Sequence, residues 1–232
     1  MRDYPLIIIQ FFKIKISLIM GTINTGILGG FNGKVGSVVG SHWKGKSTMR
    51  AKPKGRKGKA SPAQLEQQTR FALMMSFLQP ISDFMNLTYK KSAKGMSGFN
   101  KVFSENLINA IAGVYPAFTI DYSRVVLSKG GIPGVTKPLA ASPVAGKLVF
   151  TWTDNTSSTD LALSSDIVFV AAYNEELNQW VYLSSAAARS AGTFTLDLTA
   201  FEGKPVQTYM GIMSADRNKT GPSIYTGVVN VL

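Results

Sequence analysis

The spacing of apolar residues changes twice along the chain, and the changes divide it into three stretches of different character. From Gly21 to Gly45 glycine recurs at 21, 26, 29, 30, 33, 36, 40 and 45. Each glycine costs roughly 1 kcal/mol of helix propensity relative to alanine, so no helix is expected there. Val35, Val38, Val39 and Trp43, then Thr48 and Met49 beyond the Lys44-Gly45 turn signal, read as short extended strands or a hairpin. The second stretch is helical. Ser61-Pro62-Ala63-Gln64 places an N-cap serine, a proline at the first helical position and a glutamine that completes a capping box. Phe71, Met74, Met75 and Leu78 follow at i, i+3, i+4 and i+7, and Pro80 ends or kinks the helix, with Ile81, Phe84 and Met85 in a further short piece toward Tyr89. After a polar break from Lys90 to Gly95, the residues Phe99, Val102, Phe103, Leu107, Ala110 and Ile111 share one side of another helix, which Gly113 and Pro116 close. Together these predict a helical hairpin. The methionines of its first helix are read as core rather than as a docking groove.

After residue 117 the period becomes two. Phe118 to Ile120 and Arg124 to Leu127 are short candidate strands, and Lys129 to Ser142, rich in glycine and proline, reads as a linker. Six longer strands follow at Lys147–Thr153, Asp166–Tyr173, Trp180–Leu183, Gly192–Leu198, Val206–Ser214 and Ser223–Val231, each bounded by turn formers. Short strands at regular spacing predict an antiparallel sandwich. The expected fold class is therefore α+β: a Gly-rich basic arm with short strands over 20–60, a helical region with short strands over 61–128, a linker over 129–142, and a β-sandwich over 143–232.

Charge singles out the first of these parts. The chain of 232 residues carries 25 Lys and Arg against 13 Asp and Glu, a formal charge of +12. Residues 1–65 hold twelve basic and one acidic residue, 66–139 eight and four, and 140–232 five and eight, giving +11, +4 and −3. Eight of the basic residues are Lys44, Lys46, Arg50, Lys52, Lys54, Arg56, Lys57 and Lys59. A solvated surface of this sign seeks an anionic partner. These eight residues, with Trp43 beside them, are the candidate contact set. A basic arm and an acidic third in one chain also attract each other between copies, so self-assembly competes with nucleic acid as the explanation.

Residues Pro5 to Met20 are apolar apart from Gln10, Lys13, Lys15 and Ser17. Asp3 offsets Arg2, the lysines interrupt the run, and no A-x-A-like site precedes Gly21, which argues against a signal peptide. A spanning helix wants about 20 apolar residues. The preferred reading is a start at Met20 with 1–19 a poorly packed extension, a membrane-surface helix being the minor alternative. The default compartment is then the cytoplasm, with export or a place in a virion as alternatives.

Most catalytic chemistry is excluded by what is missing. There is no cysteine, hence no disulfide, thiol nucleophile or thiolate metal site, and the one histidine, His42, has no acidic residue near it in sequence. It is read as an exposed strand or loop residue. Gly29-Gly30-Phe31-Asn32-Gly33-Lys34-Val35 fails as a phosphate loop because Leu28 stands where the first glycine belongs and Val35 where Ser or Thr must follow the lysine. Glu175-Glu176, Asp154, Asp160 and Asp216 fall in turns of the expected sandwich, where carboxylates ordinarily face water, so no enzyme, cofactor or metal is expected.

Pro138, Trp152 on the second long strand, Leu196 and Leu198, and Tyr209 opening Tyr-Met-Gly-Ile-Met-Ser-Ala carry a likeness. On these residues the segment 137–232 resembles a fibronectin type III or immunoglobulin-like module, which implies a sandwich with Trp152 in its core and a surface used for binding or spacing. Phe201 to Pro205 replaces that family's leucine-to-tyrosine turn, so no tyrosine corner is carried over. Gly29 to Gly36, Trp43 to Lys46, Ser61 to Phe71 and Leu127 to Gly130 also resemble a domain-of-unknown-function family found mainly in Bacteroidota, from Met20 onward. That resemblance implies no activity. The functional expectation is a non-enzymatic structural or interaction protein, an assembly subunit in a phage-like or cell-surface structure, that uses the arm for anionic contacts. The alternative is a sequence-nonspecific nucleic-acid-binding protein.

Overall fold

A computed structural model describes residues 22–23, 29–43, 45–55, 58–90, 93, 95–156 and 161–232. The extension expected over 1–19, the basic residues Lys44, Arg56 and Lys57, and Asp160 lie outside the described residues. The chain divides into two compact units at the Lys59–Ala60 junction.

The first unit is an antiparallel sheet in the order β1 (Thr22–Ile23), β2 (Phe31–Val35), β3 (Val38–Trp43) and β4 (Lys46–Ala51). The glycines that exclude a helix form its turns: Gly36 and Gly45 have φ of 57° and 78°, the left-handed region that side chains resist. The short strands expected between the glycines are β2, β3 and β4, paired antiparallel in sequence order.

The second unit begins with α1 (Pro62–Leu78), whose capping box is formed: the Gln64 amide donates to Ser61 Oγ at 3.3 Å and the Ser61 amide to Gln64 Oε1 at 3.1 Å. At Pro80 the helix tightens into a 3₁₀ turn, Gln79–Ile81, and resumes as α2 (Ser82–Thr88). Proline supplies no amide to continue the ladder, which explains the break. The helix α3 (Gly98–Asn109) completes the helical hairpin, capped by Ser97 Oγ accepting from the Asn100 amide. Gly113 and Pro116 do not simply end it; they lie in a small hairpin of β5 (Ile111–Val114) and β6 (Ala117–Ile120).

Seven strands follow: β7 (Thr136–Val144), β8 (Lys147–Thr153), β9 (Ile167–Asn174), β10 (Gln179–Ala188), β11 (Thr193–Asp197), β12 (Pro205–Met213) and β13 (Ile224–Asn230). They form a three-stranded sheet ordered β11-β8-β7 and a four-stranded sheet ordered β10-β9-β12-β13, with every pairing antiparallel. Leu148, Phe150 and Trp152 of β8, Val168 and Val170 of β9, Leu196 of β11 and Met210 and Ile212 of β12 meet between the sheets. Trp152 is in the core as the fibronectin-like resemblance implied, and its indole N–H donates to the Arg189 carbonyl at 2.7 Å.

Two sequence expectations are corrected here. The span 129–142, expected as a linker, contains most of β7. Pro138 and Pro143 disguise it, and both are tolerated because β7 is an edge strand whose pairing with β8 slips between Thr136 and Leu139 and again between Ala141 and Val144. The strand expected at Arg124 to Leu127 does not form. That segment has its backbone groups met by side chains: Asn106 accepts from the Val126 amide and donates to the Val126 carbonyl, Ser223 Oγ accepts from the Leu127 amide, and Thr88 Oγ1 donates to the Leu127 carbonyl. Asn106 and Thr88 are buried, so these bonds satisfy groups that water cannot reach.

The helices cover the outer face of the four-stranded sheet. Side chains alternate along β9, so Val168, Val170 and Ala172 enter the sandwich core while Phe169, Ala171 and Tyr173 pack with Met74, Phe77, Leu78 and Phe84 of α1 and α2. An aromatic cluster fills this second core: Phe77 lies 4.8 Å from Tyr173 edge-on and 5.0 Å from Trp180, and Tyr209 lies 5.3 Å from Tyr225. Gly211 is required on β12, because a Cβ there would collide with the Phe169 ring. The region 60–232 is thus one three-layered body. Among the described residues, no helix is long and apolar enough to cross a membrane.

Candidate anionic-partner interface

The register of the N-terminal sheet decides which basic residues stand together. Lys34 pairs with Val39 and Val39 with Arg50, Ser41 pairs with Thr48, and Trp43 pairs with Lys46. Directly paired residues project to the same face, and the side-chain period of two repeats that face at every second position. One face therefore carries Lys34, Val39, Ser41, Trp43, Lys46, Thr48 and Arg50, and Lys52 continues it one step beyond β4. The opposite face carries Phe31, Val35, Val38, His42, Ser47, Met49 and Ala51.

Four of the expected contact residues, Trp43, Lys46, Arg50 and Lys52, are thus brought onto one side of one sheet. Trp43 is 60% exposed at the β3–β4 tip. The Ser41 and Thr48 hydroxyls, 2.7 Å apart, tie the two strands together across the middle of this face. Lys54 and Lys59 are exposed on the chain that leaves β4 and have no strand register to place them.

Lys34 was missed. It stands ten residues before the basic run, but the β2–β3 hairpin sets it across from Val39, within reach of Lys52. Lys52 holds its ammonium below the usual lysine range, through a hydrogen bond that only the neutral Lys34 amine can accept and through charge repulsion. The signal that could have found it was the period-two alternation through Gly36: counting outward from that turn places Lys34 and Val39 side by side. An anion seated near both lysines would relieve their repulsion, so the pair favours anionic ligands.

His42 lies on the other face with Nδ1 3.0 Å from Ser47 Oγ, an exposed strand residue beside Trp43. Of the carboxylates singled out in the sequence, Asp154, Glu176 and Asp216 are engaged locally in the second unit. Asp154 accepts from the Thr156 amide and hydroxyl, Glu176 meets Lys204 at 2.7 Å, and Asp216 accepts from Ser214 Oγ and the Asn218 amide. Among the described residues, no group of three or more His, Asp or Glu side chains is placed to hold a metal ion.

The model of a family of unknown function, DUF6266, matches residues 30–227. The chain belongs to this family. The DUF6266 match spans both units, from β2 through the middle of β13, so the basic sheet and the three-layered body are parts of one family pattern. No curated protein matches the chain. Solved structures similar to it include the fn3 domain of human collagen alpha-1(XX) chain, at 12% identity and a TM-score of 0.33 over 44% of this chain and 87% of that one. The FN1-FN3 domains of chicken CNTN1 are similar at 12% identity and a TM-score of 0.35, over 44% of this chain and 34% of that one.

Proposed function

We propose that this DUF6266 member is a non-enzymatic interaction protein whose N-terminal sheet docks an anionic partner. The observation that carries the reading is the gathering of Lys34, Lys46, Arg50 and Lys52 on one face, unmatched by any acidic residue between Tyr4 and Leu65. The engagement of Asp154, Glu176 and Asp216 in turns and an ion pair supports a role without catalysis. In its first form the partner is a protein surface, and the acidic C-terminal third of another copy, at −3, has the required sign for an assembly subunit.

One feature favours a second form. Trp43 is exposed on the same face as the cations, and aromatic side chains within a basic groove are how single-stranded nucleic acids are held without sequence preference.

Fluorescence anisotropy of labelled single-stranded DNA, duplex DNA and poly-glutamate, titrated with the full chain over a salt series, separates these forms. Four cations give a log-log salt slope of roughly −3.6 on duplex and about −2.8 on single strands. On the nucleic-acid reading, Trp43→Ala weakens single-strand binding by about 1–3 kcal/mol and leaves poly-glutamate binding unchanged. On the protein reading, poly-glutamate binds at least as well as DNA, Trp43→Ala is neutral, and sedimentation shows concentration-dependent association. Absence of binding to all three at low salt, with a monomeric chain, overturns the proposal.

A further inference from the structure

The second unit contains a cavity of about 570 Å³ that the basic face does not involve. It lies where the end of α2 (Leu87, Thr88, Lys90), the segment Lys129–Ile132, the β8–β9 connection (Leu161, Leu163, Asp166) and the β12–β13 connection (Ser214–Thr220) meet. Its volume falls within the range typical of small-ligand sites.

The walls are tied to one another by hydrogen bonds of the chain itself. The single Thr220 Oγ1 proton is shared between the Thr88 carbonyl at 3.1 Å and the Lys129 carbonyl at 2.9 Å, the Ile132 amide donates to the Thr220 carbonyl, and Ser128 Oγ donates to the Gly221 carbonyl at 2.7 Å. The loop 214–219 is closed on itself, with the Lys219 amide donating to Ser214 Oγ and the Ser214 amide to the Lys219 carbonyl, both at 2.9 Å. A preformed site avoids most of the ordering cost of binding.

The lining has two kinds of surface. Leu87, Ile132, Leu161 and Leu163 make it apolar, and Leu161 and Leu163, 56% and 51% exposed, leave apolar surface that a bound ligand would bury. The charged lining is Lys90, Lys129, Arg217 and Lys219 against Asp166 and Asp216. Asp166 is buried and already neutralised by Arg189 at 3.1 Å, while Lys129 is shared with Glu105 at 3.6 Å. Positive charge remains in excess, set around an apolar hollow.

The geometry points to a binding site for a small amphipathic organic anion, a carboxylate carried on an apolar acyl or aryl body. The body covers Leu161 and Leu163 and the headgroup meets the cations of the 214–219 loop, chiefly Arg217 and Lys219. This site is separate in sequence from the basic face, and either can fail without the other.

Calorimetric titration of the full chain with decanoate, decanol and acetate tests it. Decanoate should bind saturably at one site, with decanol at least about tenfold weaker, the effect of a lost charge-assisted hydrogen bond, and acetate showing no binding. Gly131 lines the cavity, and a Cβ built there meets nothing within 4 Å, so a side chain can be added to this wall without a clash at Cβ. Gly131→Leu should keep the melting temperature and abolish decanoate binding. Replacing both exposed cations, Arg217→Gln with Lys219→Gln, should bring decanoate down to the affinity of decanol. No saturable decanoate binding, equal affinity for decanol, or full decanoate binding in Gly131→Leu would each overturn the assignment.

Discussion

The strands β4 and β9 both belong to four-stranded antiparallel sheets, and their environments are opposite. Every residue of β4, Lys-Ser-Thr-Met-Arg-Ala, is exposed, whereas all of β9 after Ile167 is buried. In β4 the period-two pattern sorts cations to one face and Met49 and Ala51 to the other, and Met49 remains 70% exposed. In β9 an almost unbroken apolar run, Ile-Val-Phe-Val-Ala-Ala-Tyr, faces a sheet on one side and helices on the other. A strand that is apolar at every position requires two covering layers, and a strand polar at alternate positions requires at most one. The layered unit therefore holds most of the burial-derived stability, and the exposed sheet is free to carry charge.

The largest expected difference tests that division directly. Phe169 is fully buried and meets Phe84 edge-on at 5.1 Å, so Phe169→Ala should cost about 3–5 kcal/mol of unfolding free energy in urea, by analogy with other buried phenylalanines. A loss below about 1 kcal/mol would show that helices and sheet are not a common core.

Alkaline pH should act on the two units with opposite sign. Burial pushes Tyr173 up to about 12 and raises Tyr209, Tyr122 and Tyr89 further, the last two also through the nearby carboxylates Glu175 and Glu105. A phenol raised in the folded state stabilises fully below its ordinary value near 10, and that contribution is lost as pH rises through the folded values. The layered unit should lose stability from about pH 10 upward. For Lys34, whose value is depressed beside Lys52, repulsion is fully present at neutral pH and is relieved as pH rises toward the ordinary lysine value. Amide exchange across a pH series, with intrinsic rates corrected, should show protection falling in β9 and β12 while that of β3 and β4 holds or rises. A parallel decline in both units would remove the contrast.

The smallest effect is expected on the exposed sheet. Met49→Ala should change stability by no more than about 0.5 kcal/mol in the same urea experiment. A cost above about 1 kcal/mol would mean that the apolar face of this sheet is covered in solution and that the comparison with β9 is one of degree.

How much of this was legible in the sequence differs by element. Ser61, Pro62 and Gln64 announced the start of α1 because capping is local chemistry over four residues, and Pro80 announced its break for the same reason. The six longer strands after Lys147 followed from alternation and turn residues, with boundaries displaced by a few residues, most at β10, where a bulge after Leu183 carries the strand on to Ala188. β7 was hidden by its prolines, since nothing local says that a Pro-containing segment will be an edge strand. Lys46, Arg50 and Lys52 were visible as part of a charge run, with Trp43 beside it. Lys34 was not, because its neighbours in space are set by hairpin register and not by distance along the chain.

By itself, then, the sequence determined the glycine-punctuated basic segment, the capped and proline-broken helix, the period-two C-terminal strands and the absence of cysteine chemistry. All of these are consequences of dihedral preference, capping and covalent composition within a few residues. Tertiary structure alone decided that β9 is covered on both sides, that Asn106 and Ser223 supply the bonds of an extended segment distant from both, and that Lys34 and Lys52 adjoin. It also decided that four separate segments enclose a cavity rimmed by Arg217 and Lys219. Such features depend on which surfaces meet once the chain has closed on itself, a matter of register and layer packing that no local window of residues contains.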